Sequence, residues 1–114
     1  MATYLNNALA DSMLPDGVGL RPPRTISPAQ AGEILTQGFV HSGNPGHGNT
    51  WHAAAKLCGM PEIGEAKGGR VTLAAGDVLL VAGIRGLPRE TREFSDEEIA
   101  QATIVFRYFE AYAG

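Results

Sequence analysis

Hydrophobic and polar positions along this 114-residue chain switch between a period of two and a period near 3.6, and the switches outline its elements. Thr3-Tyr4-Leu5 reads as a short first strand running into a polar turn at Asn6-Asn7. A loop through Asp11 and Asp16-Gly17 leads to a weaker strand near Val18 to Thr25, interrupted by Pro22-Pro23. Proline cannot donate to a ladder, so this strand is expected at a sheet edge. Ser27-Pro28-Ala29-Gln30 then supplies an N-cap serine, a proline at the first helical position and a capping-box glutamine in the right order. The helix they start is predicted to run to about Thr36 and to stop at Gly38. The apolar pair Phe39-Val40 leads into a Gly-rich stretch. A second helix is predicted from about Asn49 to Leu57, with Trp51, Ala54, Ala55 and Cys58 on its buried face and Gly59 ending it.

Two strands are predicted next, Arg70 to Leu73 and Val78 to Ile84, separated by a turn at Ala75-Gly76-Asp77. The second is continuously apolar, as a central strand covered on both faces would be. A charged loop from Arg85 to Phe94 follows. Ser95-Asp96-Glu97-Glu98 forms another capping box, with Phe94 and Ile99 spaced as a hydrophobic staple. Thr103 to Tyr112, β-branched and aromatic, reads as a long final strand. The order ββα-α-ββ-α-β predicts one compact α/β domain over residues 1–114, with a mixed central sheet flanked by helices.

Composition changes this picture little. Hydrophobic residues make up 44% and charged residues 18%, as in an ordinary globular domain. The net charge of −3 argues against a protein that coats long nucleic acid, which would be basic over its surface. The chain holds one cysteine, Cys58, so it can form neither an intrachain disulfide nor a cysteine metal cluster. No apolar stretch approaches the ~20 residues that span a bilayer, and no leader pattern is present, so the expected location is the cytoplasm. Fifteen glycines are many for this length; they cluster at 43–48, 64–69 and 83–86, where the chain turns or a ligand meets the backbone.

The chemistry concentrates in Gly43-Asn44-Pro45-Gly46-His47-Gly48-Asn49-Thr50, just before the second helix. The first turn of a helix offers unpaired N–H groups and a positive dipole end, a seat for phosphate. Gly46 and Gly48 remove side chains that would hold a ligand off that backbone, and Asn49 or Thr50 can act as N-cap or as a ligand contact. His47 is the one residue of this run whose side-chain type has an unperturbed pKa near neutrality, which suits it to moving protons. On residue types alone the same run also reads as a turn carrying a solvated histidine, because it matches neither a Walker loop nor a dinucleotide fingerprint. His41 lies beside this turn and could assist there, though it reads more readily as a surface histidine. His52 shares a helix face with Lys56, a solvated or ligand-facing side. The three histidines lack the spacing of a metal site. Arg85 directly follows the buried strand, where ligands of open α/β sheets often bind and a guanidinium can hold a phosphate.

Tyr4-Leu5-Asn6-Asn7-Ala8, Gly38-Phe39-Val40, Gly46-His47 with Thr50, and Leu57-Cys58-Gly59 together resemble the viral ring nuclease family, the type III anti-CRISPR proteins. Arg70-Val71, Asp77-Val78-Leu79, Arg85 to Glu90 and Ser95 to Ile99 fall in the same order, so the resemblance spans nearly the whole chain. It implies a two-fold homodimer in the host cytoplasm that cuts cyclic tetra-adenylate to linear di-adenylates and silences type III CRISPR signalling. It implies neither metal nor cofactor. His47 would be the general acid. Gly46, Gly48, Asn49 and Thr50 would cradle the phosphate, Arg85 would hold its charge, and Glu90 would orient Arg85 or a ribose hydroxyl. Asn7 and Ser12 would touch the ring. Gly48 and Asn49 stand where members often carry an acidic and a small residue, and Ala10 and Ser12 stand where some carry Ser and Asn. The extra Gly86 leaves open whether Arg85 or Arg89 is the phosphate arginine. A module that binds a cyclic oligoadenylate without cutting it would need the same loop.

Overall fold

The apolar run at 78–84 becomes the centre of the protein, as continuous hydrophobicity predicts for a strand buried on both faces. The computed structural model describes residues 1–43, 48–64, 67–86 and 94–114. Strand β5 (Val78–Arg85) lies between β1 (Thr3–Asn6), to which it is parallel, and β6 (Thr103–Ala113), to which it is antiparallel over its whole length. On the far side of β1 a two-residue strand, β4 (Val40–His41), adds in parallel, pairing Tyr4 with Val40 and Leu5 with His41. Beyond β6 lie β2 (Val18–Leu20) and β3 (Arg24–Ile26), both antiparallel to it. The result is a mixed six-stranded sheet with three flanking helices. Pro22-Pro23 separate β2 from β3 at the sheet edge, where the missing donors cost no ladder bond.

Alternation along the strands assigns the two faces. Leu5, Leu80, Ala82, Ile104 and Phe106 pack with Ala31 and Leu35 of α1 (Pro28–Thr36) and with Trp51, Ala54 and Ala55 of α2 (Gly48–Leu57). Leu79, Phe109 and Ala111 face the other way, onto Met13, Val71 and Leu73. A third helix, α3 (Asp96–Gln101), leans on α2 through Phe94, Ile99 and Ala53. Both predicted capping boxes form, at Ser27/Gln30 and at Ser95/Glu98. Gly38 (φ 113°) follows α1, and Gly59 (φ 73°) lies just beyond α2.

The sheet departs from the sequence reading in three places. Residues 70–73 form no strand. Val71 and Leu73 are buried against the sheet face opposite the helices, and Leu73 donates its N–H to the Met13 carbonyl at 2.8 Å. Their alternation therefore reflects two apolar anchors on a covering segment, which mimics the period of a strand without a ladder. Phe39-Val40 is not merely a lead into a loop, since Val40 and His41 pair with β1. Asn6 is a buried end of β1 rather than an exposed turn residue. No helix among the described residues is long and apolar enough to cross a membrane.

Candidate functional site

Parallel β4, β1 and β5 share one direction, so their C-terminal ends open on the same edge, the usual place for a ligand in such sheets. Three side chains that the sequence reading did not list among the site residues are gathered there. Asn6, at the end of β1, donates through Nδ2 to the Ser42 carbonyl (3.2 Å) and hydroxyl (3.0 Å). Its Oδ1 accepts the backbone N–H groups of Asn7 (2.7 Å) and Ala8 (3.3 Å), which turns the chain sharply off the strand. Ser42 Oγ in turn donates to the Leu5 carbonyl at 2.9 Å, and Ser42 N–H to the same oxygen. Asn6 and Ser42 are both buried, and the bonds between Asn6, Ser42 and Leu5 join the ends of β1 and β4 in one polar knot. The signal available in the sequence was an asparagine at a strand end, a residue type suited to an Asx turn.

His41 corrects the sequence reading most. It is 8% exposed, not a surface side chain, because pairing with Leu5 turns it onto the helical face of the sheet. Its ring meets Trp51 of α2 edge-on, with centroids 4.6 Å apart, and Phe39 at 6.0 Å. Nδ1 accepts the Gly43 N–H at 3.3 Å, whereas Nε2 is buried with no partner among the described residues. Burial holds the imidazole below its usual value of 6.5, so it is neutral at neutral pH. Gly43 is required by close approach: a Cβ there would stand 2.2 Å from Trp51 Cζ2 and 2.9 Å from His41 Cε1. Lys67 and Gly68 donate backbone N–H groups to the carbonyls of His41 and Gly43 and cover the outer side of β4.

The predicted site residues distribute as follows. Helix α2 begins at Gly48, one residue earlier than expected, so Asn49 and Thr50 lie inside its first turn rather than at its cap. Asn7 is exposed directly after β1, and Ser12 is exposed in a 3₁₀ turn spanning Asp11–Met13. Arg85 is exposed at the end of β5, four residues past the pairing of Asn6 with Val81. Gly46, His47, Arg89 and Glu90 lie outside the described residues. His52 is exposed on α2, and its neighbour Lys56 bonds Asp96 of α3 at 2.6 Å, which lowers the Asp96 carboxyl below its ordinary range. That face is exposed, and Lys56 uses it to join α2 to α3. Cys58 is core, its thiol pushed up to about 11 by burial. Among the described residues no three His, Cys, Asp or Glu side chains gather as a metal cluster would.

A virus protein has the same fold. B116 of Sulfolobus turreted icosahedral virus superimposes with a TM-score of 0.64 over 98% of this chain and 99% of that one, at 19% sequence identity. At that identity the likeness concerns the fold. No protein-family model matches the chain. No curated protein matches it either.

Proposed function

We propose that the protein is a metal-independent ring nuclease that cuts cyclic tetra-adenylate to linear di-adenylates and so switches off type III CRISPR signalling. The observation that carries the reading is the convergence of two features of the chain. The ends of parallel β1 and β4 open toward the start of α2, and the chain segment joining them is the glycine-flanked histidine stretch. The resemblance of the residues around that stretch to viral ring nucleases supplies the substrate, and the shared fold of a virus protein agrees with it.

In the proposed chemistry a ribose 2′-oxygen attacks the adjacent phosphorus in line. The bond from phosphorus to the 5′-oxygen breaks, leaving a 2′,3′-cyclic phosphate. The 2′-hydroxyl loses its proton to solvent, and the departing 5′-oxygen receives one from His47. General acid catalysis of this kind contributes roughly 10²–10⁴-fold. N–H groups at the start of α2 and the guanidinium of Arg85 or Arg89 hold the charge of the phosphorane, with Glu90 orienting the arginine or a ribose hydroxyl. Asn7 and Ser12, on the segment leaving β1, contact the ring. A four-fold repeated ring suits a two-fold homodimer, because each subunit presents the same groups to half of it.

Incubation of the protein with cyclic tetra-adenylate and a chelator tests this directly. Linear products are expected, His47→Ala slows their appearance at least ~100-fold, and calorimetry finds one ring per two chains. A strict requirement for a divalent ion, or an unimpaired His47→Ala protein, overturns the mechanism. Intact ring recovered after long incubation, alongside a ligand-dependent rise in Tm, favours a module that sequesters the messenger without cutting it.

A further inference from the structure

Asn6 stands where a buried strand residue would ordinarily be apolar. It closes β1, pairs with Val81 of β5 and is 8% exposed, although asparagine is a residue type that strands avoid. Its partners force the orientation of its amide. Nδ2 faces two acceptors, the Ser42 carbonyl and hydroxyl, and Oδ1 faces two donors, the N–H groups of Asn7 and Ala8. A flipped amide would set donor against donor at one end and oxygen against carbonyl oxygen at the other. The two ends do different work. The Ser42 end repeats a connection the backbone already makes, because Ser42 N–H bonds the Leu5 carbonyl at 2.9 Å and β4 pairs with β1. The Oδ1 end is doubled by no backbone bond among the described residues. Two successive amides close on that one oxygen, so Asn7 leaves the strand in a direction set by its neighbour's side chain, with its own side chain exposed.

We propose that Asn6 is a positioning residue: its Oδ1 fixes the backbone of Asn7 and so aims the Asn7 side chain at the bound ring. This role rests on the reading of Asn7 as a ring contact in the proposed function. Asn6 itself needs no access to the ligand, because it acts through the backbone beside it. A turn already fixed in the free protein does not have to be ordered when the ring binds, which improves affinity. The contact is the same before and during bond cleavage, so its loss shows in KM with kcat little changed.

Calorimetry with cyclic tetra-adenylate on the full chain, joined to turnover and amide exchange on the same variants, tests the role. Asn6→Ala is expected to weaken binding roughly tenfold, the size of losing one or two fixed hydrogen bonds, and to raise KM with kcat held. The Asn7 amide, slow to exchange in the parent, exchanges freely in Asn6→Ala. Asn6→Ser, whose hydroxyl can accept a turn N–H, recovers part of the affinity. Ser42→Ala separates positioning from mere support of the fold. It removes the hydroxyl bonds of the same knot but keeps the Oδ1 turn, so Tm falls while affinity stays within about twofold of the parent. In an Asn7→Ala background the further cost of Asn6→Ala shrinks to about twofold or less, since the residue it acts through is gone. Equal losses of affinity in Asn6→Ala and Ser42→Ala, or costs that add in full with Asn7→Ala, overturn the role. A freely exchanging Asn7 amide in the parent overturns it whether or not Asn6→Ala folds. Asn6→Ala binding as tightly as the parent also overturns it and leaves the proposed function standing. A parent that binds no ring overturns the proposed function, and the positioning role falls with it.

Discussion

Single residues at the strand edge tie the ends of β1 and β4 together. Asn6 uses both ends of its amide, so one side chain links β1 to Ser42 and starts the turn after it. His41 is the more informative residue, because its burial couples stability to pH. Its folded-state value lies below that of the unfolded chain, so the unfolded state binds more protons between the two. The stability at stake is complete above about pH 6.5 and falls as pH drops through that window. Thermal melts between pH 7.5 and 5.5 should therefore show a falling Tm with acidification, and a flatter profile for His41→Phe. An equal slope in both proteins would mean that His41 titrates normally.

At the scale of elements, the crossing of α1 and α2 is set by a missing side chain. A Cβ on Gly32 would stand 2.5 Å from the Cys58 carbonyl oxygen, which is backbone and cannot turn aside. The helices approach so closely that Ala31 of α1 and Ala54 and Ala55 of α2 can all reach the same core with Leu5 and Phe106. Gly32→Ala is expected to lower stability by about 1–3 kcal/mol despite the better helix propensity of alanine, because the crossing must open. Urea denaturation measures this, and a stabilised Gly32→Ala protein would show that the helices sit further apart.

For the molecule as a whole, β5 carries the ladder on both sides, paired along its length with β6 and over Val78 to Val81 with β1. Asp77, buried at its entrance, accepts the N–H groups of Ala2 (2.8 Å) and Ala74 (2.9 Å) and pins the chain start to the turn before β5. Hydrogen exchange is expected to be slowest at amides of Leu79 to Ala82 and their partners in β6, governed there by global unfolding. Residues 70–73 and the short β2 should exchange faster, since neither is held on two sides. Equal protection across these regions would show that the covering segment folds with the sheet as one unit.

Much of this was legible in advance because the signals are local. Two capping boxes, the apolar run of β5 and the alternation of β6 announce themselves within a few residues, where propensity, caps and periodicity act. The sequence by itself determined an α/β domain with a buried central strand and a Gly-rich entry to α2. Tertiary structure alone decided the rest. A two-residue strand has no period to detect, so β4 exists only because β1 offers it a parallel edge. Val71 and Leu73 alternate like a strand but meet no partner edge, so they become a cover. His41 looked like a surface histidine until its pairing with Leu5 turned it inward against Trp51, since which face a strand residue takes depends on the neighbour it pairs with.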